Sequence, residues 1–158
     1  MPDSQDRLAR LFAAASIIIR PLLLSRLHRP LSSQLMVLDY TGARSGHRYS
    51  FPIGYFTWDE DQVLAFSSRR WPAALRTARD IQVVLRGQTY DAAPEVISVQ
   101  EDKVTLLAAF ARRKGPRTAK RLMLGLPGNR QPSASELEAA ATKTTILRFR
   151  LAPVTPCR

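Results

Sequence analysis

The stretch Thr41–Arg48 combines the residue types that bind phosphate and other oxyanions. Its sequence, TGARSGHR, places two glycines, two hydroxyl side chains and two arginines within eight residues, between two apolar segments. Glycine permits turns with positive φ, which bring successive N–H groups together around an anion, and arginine donates paired hydrogen bonds to neighbouring oxygens. The stretch therefore predicts an anion-binding loop, with an ordinary connecting loop as the alternative.

Two further groups of basic residues follow along the chain. The first, SSRRW at Ser67–Trp71, ends a predicted strand, where ligands of β proteins are often bound. Its tryptophan either stacks on a planar ring or fills the core. The second, ARRKGPRTAKR at Ala111–Arg121, has six basic residues and no acid. It predicts either a groove for a long acidic ligand tail or a solvated helix face.

The overall charge favours an anionic partner. Lys and Arg number 24 against 13 Asp and Glu in 158 residues, a net charge of +11. Such a balance suits a phosphorylated cofactor, an acidic membrane or nucleic acid. Nucleic acid is not expected, because the basic stretch Ala111–Arg121 lacks interleaved aromatic residues and no zinc-finger, RRM or basic-zipper pattern occurs in the sequence.

Motifs for other chemistries are missing from the sequence. Cys157 is the single cysteine, and His28 and His47 are far apart in the chain, so we expect neither a disulfide nor a metal site. The sequence has no G-x-S-x-G, G-x-G-x-x-G or P-loop pattern, and no catalytic side chain is predicted. If the protein is an enzyme, a bound cofactor supplies the chemistry.

Residues 1–33 predict an N-terminal amphipathic helical segment, separate from a domain over residues 34–158. The segment holds five arginines between Arg7 and Arg29, and its longest uncharged run, Leu11–Ile19, is too short to span a bilayer. It either packs on the domain or a second subunit, or lies on an anionic membrane.

The pattern after residue 33 predicts five strands, then helices, then a last strand. Strands are predicted over QLMVLDY, RYSFPIGYFTW and VLAFSS, followed by a hairpin with Gly87 at its tip. Pro52 within a strand pattern indicates an edge or a bulge. Helices are predicted from Asp102 to Gly125 and again after Ser133 or Ser135 as N-cap. Hairpin connections indicate an antiparallel sheet or barrel with added helices.

The order of these motifs resembles the deazaflavin-dependent nitroreductase family. The resemblance covers about Leu35–Val99 and is carried by VLDYTGARSGHRYSFPIGYF, VLAFSS and WPAALRTARDIQVVLRGQTY. It implies a mainly β protein with helices, a six-stranded antiparallel split β-barrel of the FMN-binding-like superfamily, and a homodimer. Because the single cysteine suits a reducing compartment, we also expect a cytoplasmic protein, on the membrane's cytoplasmic face if the N-terminal segment binds lipid.

The resemblance implies binding of the deazaflavin coenzyme F-420, whose tail carries a phosphate and glutamates. Arg44, Ser45 and Arg48 would bind the phosphate, and Arg112, Arg113, Lys114 and Arg117 would meet the tail. Trp71 and Leu75 would form an apolar wall. The full set of implied cofactor-binding residues is Thr41, Gly42, Arg44, Ser45, Gly46, Arg48, Pro52, Ser67, Ser68, Arg69, Arg70, Trp71 and Leu75.

The implied function is hydride transfer from the reduced deazaflavin to a small quinone or nitroaromatic acceptor. Three features depart from the family pattern: Ala43 replaces a basic residue, Ala74 replaces an asparagine, and the loop at Arg69 and Arg70 is short. Because these departures touch cofactor-side loops, FMN is an alternative cofactor. The alternative function is a non-catalytic protein that binds a flavin, a deazaflavin or another ring cofactor on the same scaffold.

Overall fold

The computed structural model of the protein describes residues 34–154. The strands are β1 (Leu35–Thr41), β2 (Arg48–Gly54), β3 (Phe56–Asp59), β4 (Gln62–Ser67), β5 (Arg79–Leu85), β6 (Gln88–Ile97) and β7 (Thr145–Pro153). The helices are α1 (Gln100–Lys114), α2 (Pro116–Lys120), α3 (Ala134–Thr142) and a 3-10 helix at Trp71–Arg76. The predicted helical segment over residues 1–33 lies outside the described residues. Within the described range, no helix combines the length and apolar character needed to cross a bilayer.

The strands form a mostly antiparallel sheet in the order β2-β1-β5-β6-β7-β4-β3. The predicted class, mainly β with helices and antiparallel pairing, is confirmed, but the predicted count of six strands is wrong, because residues 34–154 form seven. The segment RYSFPIGYFTW forms two strands rather than one. The chain leaves the ladder at Tyr55, whose side chain is buried and whose N–H donates to the carbonyl of Gln34.

Two predictions of local geometry are confirmed. The β5–β6 hairpin turns at Arg86 and Gly87, whose φ values of 50° and 78° are those of a two-residue turn with both central residues left-handed. Pro52 lies in β2, which is an edge strand of the sheet, so its missing N–H removes no hydrogen bond from a central ladder.

The described residues divide into two compact units. The first unit comprises residues 34–65, 74–95 and 148–154, and it contains most of the sheet. Its inner strand β1 has five consecutive buried residues, Met36–Tyr40, so both faces of the strand are covered. Val37 and Val84, on the neighbouring strands β1 and β5, form part of this core.

The second unit comprises residues 66–73 and 96–147. Its helix α1 buries residues at the spacing of one helical face: Lys103, Leu106, Leu107, Phe110 and Ala111. The buried ammonium of Lys103 donates to the carbonyls of Ala141 and Thr144, at 2.6 and 3.0 Å. This side chain ties α1 to the end of α3, where the last helical carbonyls lack partners within the helix.

Helix α3 begins with a capping box at Ser133, one of the two predicted N-caps. The Ser133 hydroxyl accepts from the Glu136 N–H, and the Glu136 carboxylate accepts from the Ser133 N–H. Arg130 donates to both carboxylate oxygens of Glu136, at 2.8 Å each. These hydrogen bonds lower the pKa of Glu136 to about 2, and the hydrogen bonding from Arg130 contributes most to the shift.

This lowered pKa predicts that α3 is stabilised by ionised Glu136 and loses that contribution in acid. The contribution is complete above the ordinary pKa of 4.5 and disappears as the pH falls through about 2. We expect Glu136→Gln to lower the urea midpoint at neutral pH but not near pH 2. Glu138→Gln, an exposed acid on the same helix, is the control. A deficit of Glu136→Gln that persists at low pH would contradict the assignment.

Candidate anion-binding site

The loop between β1 and β2 holds the predicted anion-binding residues on one short connection. The strand pairing ends at Thr41 opposite Arg48, and residues 42–47 close the loop between them. The Gly42 N–H donates to the carbonyl of His47, and the Gly46 N–H donates to the carbonyl of Gly42, both at 2.9 Å. These hydrogen bonds restrain the loop from within. Six predicted site residues lie on the loop or at its ends: Thr41, Gly42, Arg44, Ser45, Gly46 and Arg48.

The two glycines of the loop are needed for different reasons. Gly46 has a φ of 64°, in the left-handed region that residues with a Cβ rarely occupy. At Gly42 the constraint is space instead. A Cβ at Gly42 would lie 2.7 Å from the Ser45 hydroxyl oxygen and 3.1 Å from Cε2 of the Tyr49 ring. The expected positive φ is therefore found at Gly46 and not at Gly42.

The loop presents its side chains to solvent, whereas several of its amides are already engaged. Arg44, Ser45 and Arg48 are exposed. The Ser45 hydroxyl accepts from the His47 N–H at 3.2 Å, which leaves its own O–H able to donate. With the amides of Gly42, Gly46 and His47 bonded inside the loop, an anion would be met mainly by two guanidinium groups and one hydroxyl.

A buried carboxylate lies beside one of these guanidinium groups. Asp39 is in the middle of β1, and its side chain is 1% exposed, whereas that of Arg48 is 60% exposed. The Arg48 Nη2 to Asp39 Oδ2 distance is 3.8 Å, too long for a hydrogen bond but short enough for electrostatic attraction. Arg48 thus has a partner within the protein as well as access to a ligand, and Asp39 restrains its guanidinium near the loop.

Aromatic rings support the loop on the other face of the hairpin. Tyr40 is opposite Tyr49 in the ladder, and their rings stack with centroids 5.1 Å apart. Phe51 meets the Tyr40 ring edge-on at 6.1 Å. Burial, and secondarily the neighbouring Tyr49, raises the pKa of Tyr40 above its usual value, so this phenol stays neutral at physiological pH. Because Tyr49 also approaches Gly42, the stack restricts how the loop can fold.

The second predicted group, Ser67–Trp71, belongs to the second unit. The Ser67 hydroxyl accepts from the Arg69 N–H at 3.1 Å, and the Ser67 carbonyl accepts from the Thr144 hydroxyl at 3.3 Å. Ser68, Arg69 and Arg70 are exposed, and Trp71 is half-buried. Leu75, from the 3-10 helix, is buried at 3% exposure. Pro52 is half-buried on β2.

Asp39 and Tyr49 were not among the residues that sequence reasoning selected. The signal for Asp39 is an acid within an otherwise apolar strand, LMVLDYT, because a carboxylate is costly to bury without a partner. The signal for Tyr49 is weaker. Its importance depends on the strand register and on its distance to Gly42, neither of which can be read from residue types.

No family model and no curated protein matches the sequence. Several solved structures are similar at low identity. An FMN-binding protein of Nostoc punctiforme, related to pyridoxamine 5'-phosphate oxidase, is 14% identical with a TM-score of 0.45, over 87% of this chain and 79% of its own. A protein of Bacteroides thetaiotaomicron, named as a putative 5-nitroimidazole antibiotic resistance protein, is 12% identical with a TM-score of 0.42, over 96% of this chain and 81% of its own. An F-420 reductase is 12% identical with a TM-score of 0.38, over 76% and 87%. At these values the likeness assigns no activity to this chain.

The two glycine positions predict different responses to alanine. Gly42→Ala forces the Ser45 hydroxyl and the Tyr49 ring to move and should lower the unfolding free energy by about 1–3 kcal/mol, as overpacking does. The new Cβ of Gly46→Ala meets no atom within 4 Å, but the residue keeps a strained φ. We therefore expect the unfolding free energy to fall by about 1–2 kcal/mol. Near-ultraviolet circular dichroism, which reports on the tyrosine stack, should change in Gly42→Ala alone. Equal spectral changes in both variants would contradict this account of Gly42.

Proposed function

We propose that the Thr41–Arg48 loop binds the phosphate of a flavin-type redox cofactor, with deazaflavin F-420 as the first candidate and FMN as the second. We further propose that the protein is a deazaflavin-dependent reductase acting on a quinone or nitroaromatic acceptor. The observation that carries the proposal is the loop itself. Its internal hydrogen bonds and two differently constrained glycines present Arg44, Ser45 and Arg48 on one short exposed connection.

The donor set fits a phosphate monoester or diester. Two guanidinium groups supply charge and paired N–H donors, and the Ser45 hydroxyl keeps its proton available because it accepts from His47. The charge of Asp39 opposes an anion, but its carboxylate lies beneath the exposed guanidinium and holds one side of it. Arg48 would therefore reach the ligand with fewer accessible rotamers than a free arginine, which lowers the entropic cost of binding.

The protein's contribution would be binding and orientation. Arg44, Ser45 and Arg48 would fix the phosphate, and the Tyr40–Tyr49 stack would hold the loop in place beneath it. When bound, the reduced deazaflavin supplies a hydride for transfer to a planar acceptor. No side chain of this chain is assigned as a nucleophile or a general base.

A non-catalytic cofactor-binding protein is the second candidate. It is favoured by Ala43 and Ala74, which lack the side-chain donors that the family pattern has at those positions. Both candidates need the loop to bind the phosphate. They differ in turnover, so the reduced cofactor separates them: a reductase oxidises it when an acceptor is added, and a binding protein holds it unchanged.

Loss of either arginine should weaken cofactor binding. We expect Arg44→Ala and Arg48→Ala each to reduce the affinity for F-420 by about 1.5–3 kcal/mol, the range for hydrogen bonds to charged groups. Affinity is measured by fluorescence titration with the purified protein. Arg150→Ala, at an exposed arginine of β7, makes the same change in net charge and should leave the affinity unchanged. Equal weakening in all three variants would indicate general charge attraction and remove the loop as the site.

The identity of the cofactor is tested with the same titration. If the loop recognises a phosphate beside a deazaflavin ring, the wild-type protein should bind F-420 more tightly than FMN, and Arg44→Ala should weaken both. A protein that binds FMN more tightly supports the alternative cofactor. Binding of riboflavin, which has no phosphate, with the same affinity as FMN would contradict the role of the loop.

A further inference from the structure

A turn in the second unit holds an apolar side chain almost completely in solvent. Met123 is 91% exposed, the most exposed of the large hydrophobic residues within the described part of the chain. Its neighbours on the chain are not exposed in the same way, because Leu124 and Leu126 are buried at 8% and 4%. These two leucines anchor the segment, so the exposure of Met123 is not that of a loose end.

The backbone of this turn is well defined. After α2, the N–H groups of Arg121, Leu122 and Met123 donate in succession to the carbonyls of residues three positions earlier, each at 3.1 Å. Met123 then has a φ of 58°, in the left-handed region. A position just after a helix with this conformation is usually glycine or asparagine. Methionine is therefore an unfavourable residue for the turn itself.

Basic groups surround the Met123 turn, defined here as Arg121–Gly125. The aliphatic stem of Lys120 packs against Gly128, where a Cβ would lie 2.7 Å from its Cδ. The ammonium of Lys143 lies 3.7 Å from the position of a Cβ on Gly125. Exposed basic side chains continue along α2 and the last turn of α1: Arg112, Arg113, Arg117, Lys120 and Arg121. From residue 103 to residue 135 the chain contains no acid.

We propose that the Met123 turn and its basic surroundings form a docking surface for an anionic lipid bilayer. Met123 enters the boundary between headgroups and acyl chains, while Lys120, Lys143 and Arg117 meet the lipid phosphates and carboxylates. Lysine suits this position because its stem lies along apolar groups while its charge stays in the headgroup layer. A soluble acidic ligand would use the charges but gives no role to an exposed methionine. This surface does not depend on the function proposed for the Thr41–Arg48 loop.

The central test is the partition of the full-length protein onto sedimented vesicles of phosphatidylcholine with and without phosphatidylserine. We expect binding to the anionic vesicles that falls as salt rises. Met123→Asn keeps a residue that tolerates the left-handed turn, so its melting temperature should equal or exceed that of the wild type, whereas its partition should be about tenfold weaker. The double variant Arg117→Gln with Lys120→Gln should lose about fivefold or more, because each basic residue near an anionic surface contributes to binding.

Val99 provides the matched control. It is exposed at 58% in the same unit, but it precedes Glu101 and Asp102 and so lacks a basic setting. Val99→Gln should leave the partition unchanged. For direct evidence of insertion, an environment-sensitive fluorophore is attached to Met123→Cys in a Cys157→Ser background, and to Val99→Cys in the same background. Its emission should shift to the blue on anionic vesicles at position 123 only.

Three results would overturn the proposal. The first is a full-length protein that does not bind the anionic vesicles. The second is equal partition of the wild type and Met123→Asn, which would assign any binding to another segment, such as residues 1–33. The third is a change in oligomeric state of Met123→Asn without vesicles, seen by analytical ultracentrifugation, which would show that a second copy of the chain covers Met123. Arg44→Ala should partition like the wild type, so a failed cofactor experiment leaves this test intact.

Discussion

The antiparallel register between β1 and β2 is the constraint on which the candidate site depends. It runs without a shift from Leu35 opposite Gly54 to Thr41 opposite Arg48. Because side chains alternate between the two faces of a strand, this register puts Asp39 and Arg48 on one face and Tyr40 and Tyr49 on the other. A slip of one residue in β2 would move Arg48 away from Asp39 and replace the tyrosine stack with a mismatched pair. The site is thus fixed by backbone pairing before any ligand contact is made.

The strand pairing places the buried carboxylate of Asp39 near the guanidinium of Arg48, and the two opposite charges attract each other. Two opposite charges about 4 Å apart attract by about 1 kcal/mol in water and about 4 kcal/mol near a protein surface. Since Arg48 is 60% exposed, the attraction lies nearer the lower value. Asp39 itself is buried, with a side-chain exposure of 1%. Its charge attracts the Arg48 guanidinium towards this face of the hairpin, so its contribution at the loop is positional.

Local signals in the sequence predicted much of the fold. Three features could be read from neighbouring residues alone. They are the glycine that permits the β5–β6 turn, the serine that caps α3 and the apolar spacing that marks the buried face of α1. The break at Tyr55 could not be predicted in this way, because the aromatic and β-branched pattern continues through it. The Tyr55 N–H donates instead to the carbonyl of Gln34, which is far away in the sequence. At the site, residue types predicted the loop and its arginines. The roles of Asp39 and Gly42 depend on distances between chain segments, which composition does not contain.

The positions of the acids determine which basic side chains form ion pairs within the protein. Arg130 is bound by Glu136 and serves the start of α3, and Arg148 lies 3.4 Å from Glu95 on the adjacent strand. Arg48 shares its charge between Asp39 and the solvent. The stretch from residue 103 to residue 135 contains basic side chains and no acid, so it carries a local excess of positive charge. A net charge of +11 by itself would favour any polyanion equally. An exposed methionine within the acid-free region adds an apolar group, and the proposed lipid surface would supply both the negative charge and the apolar layer.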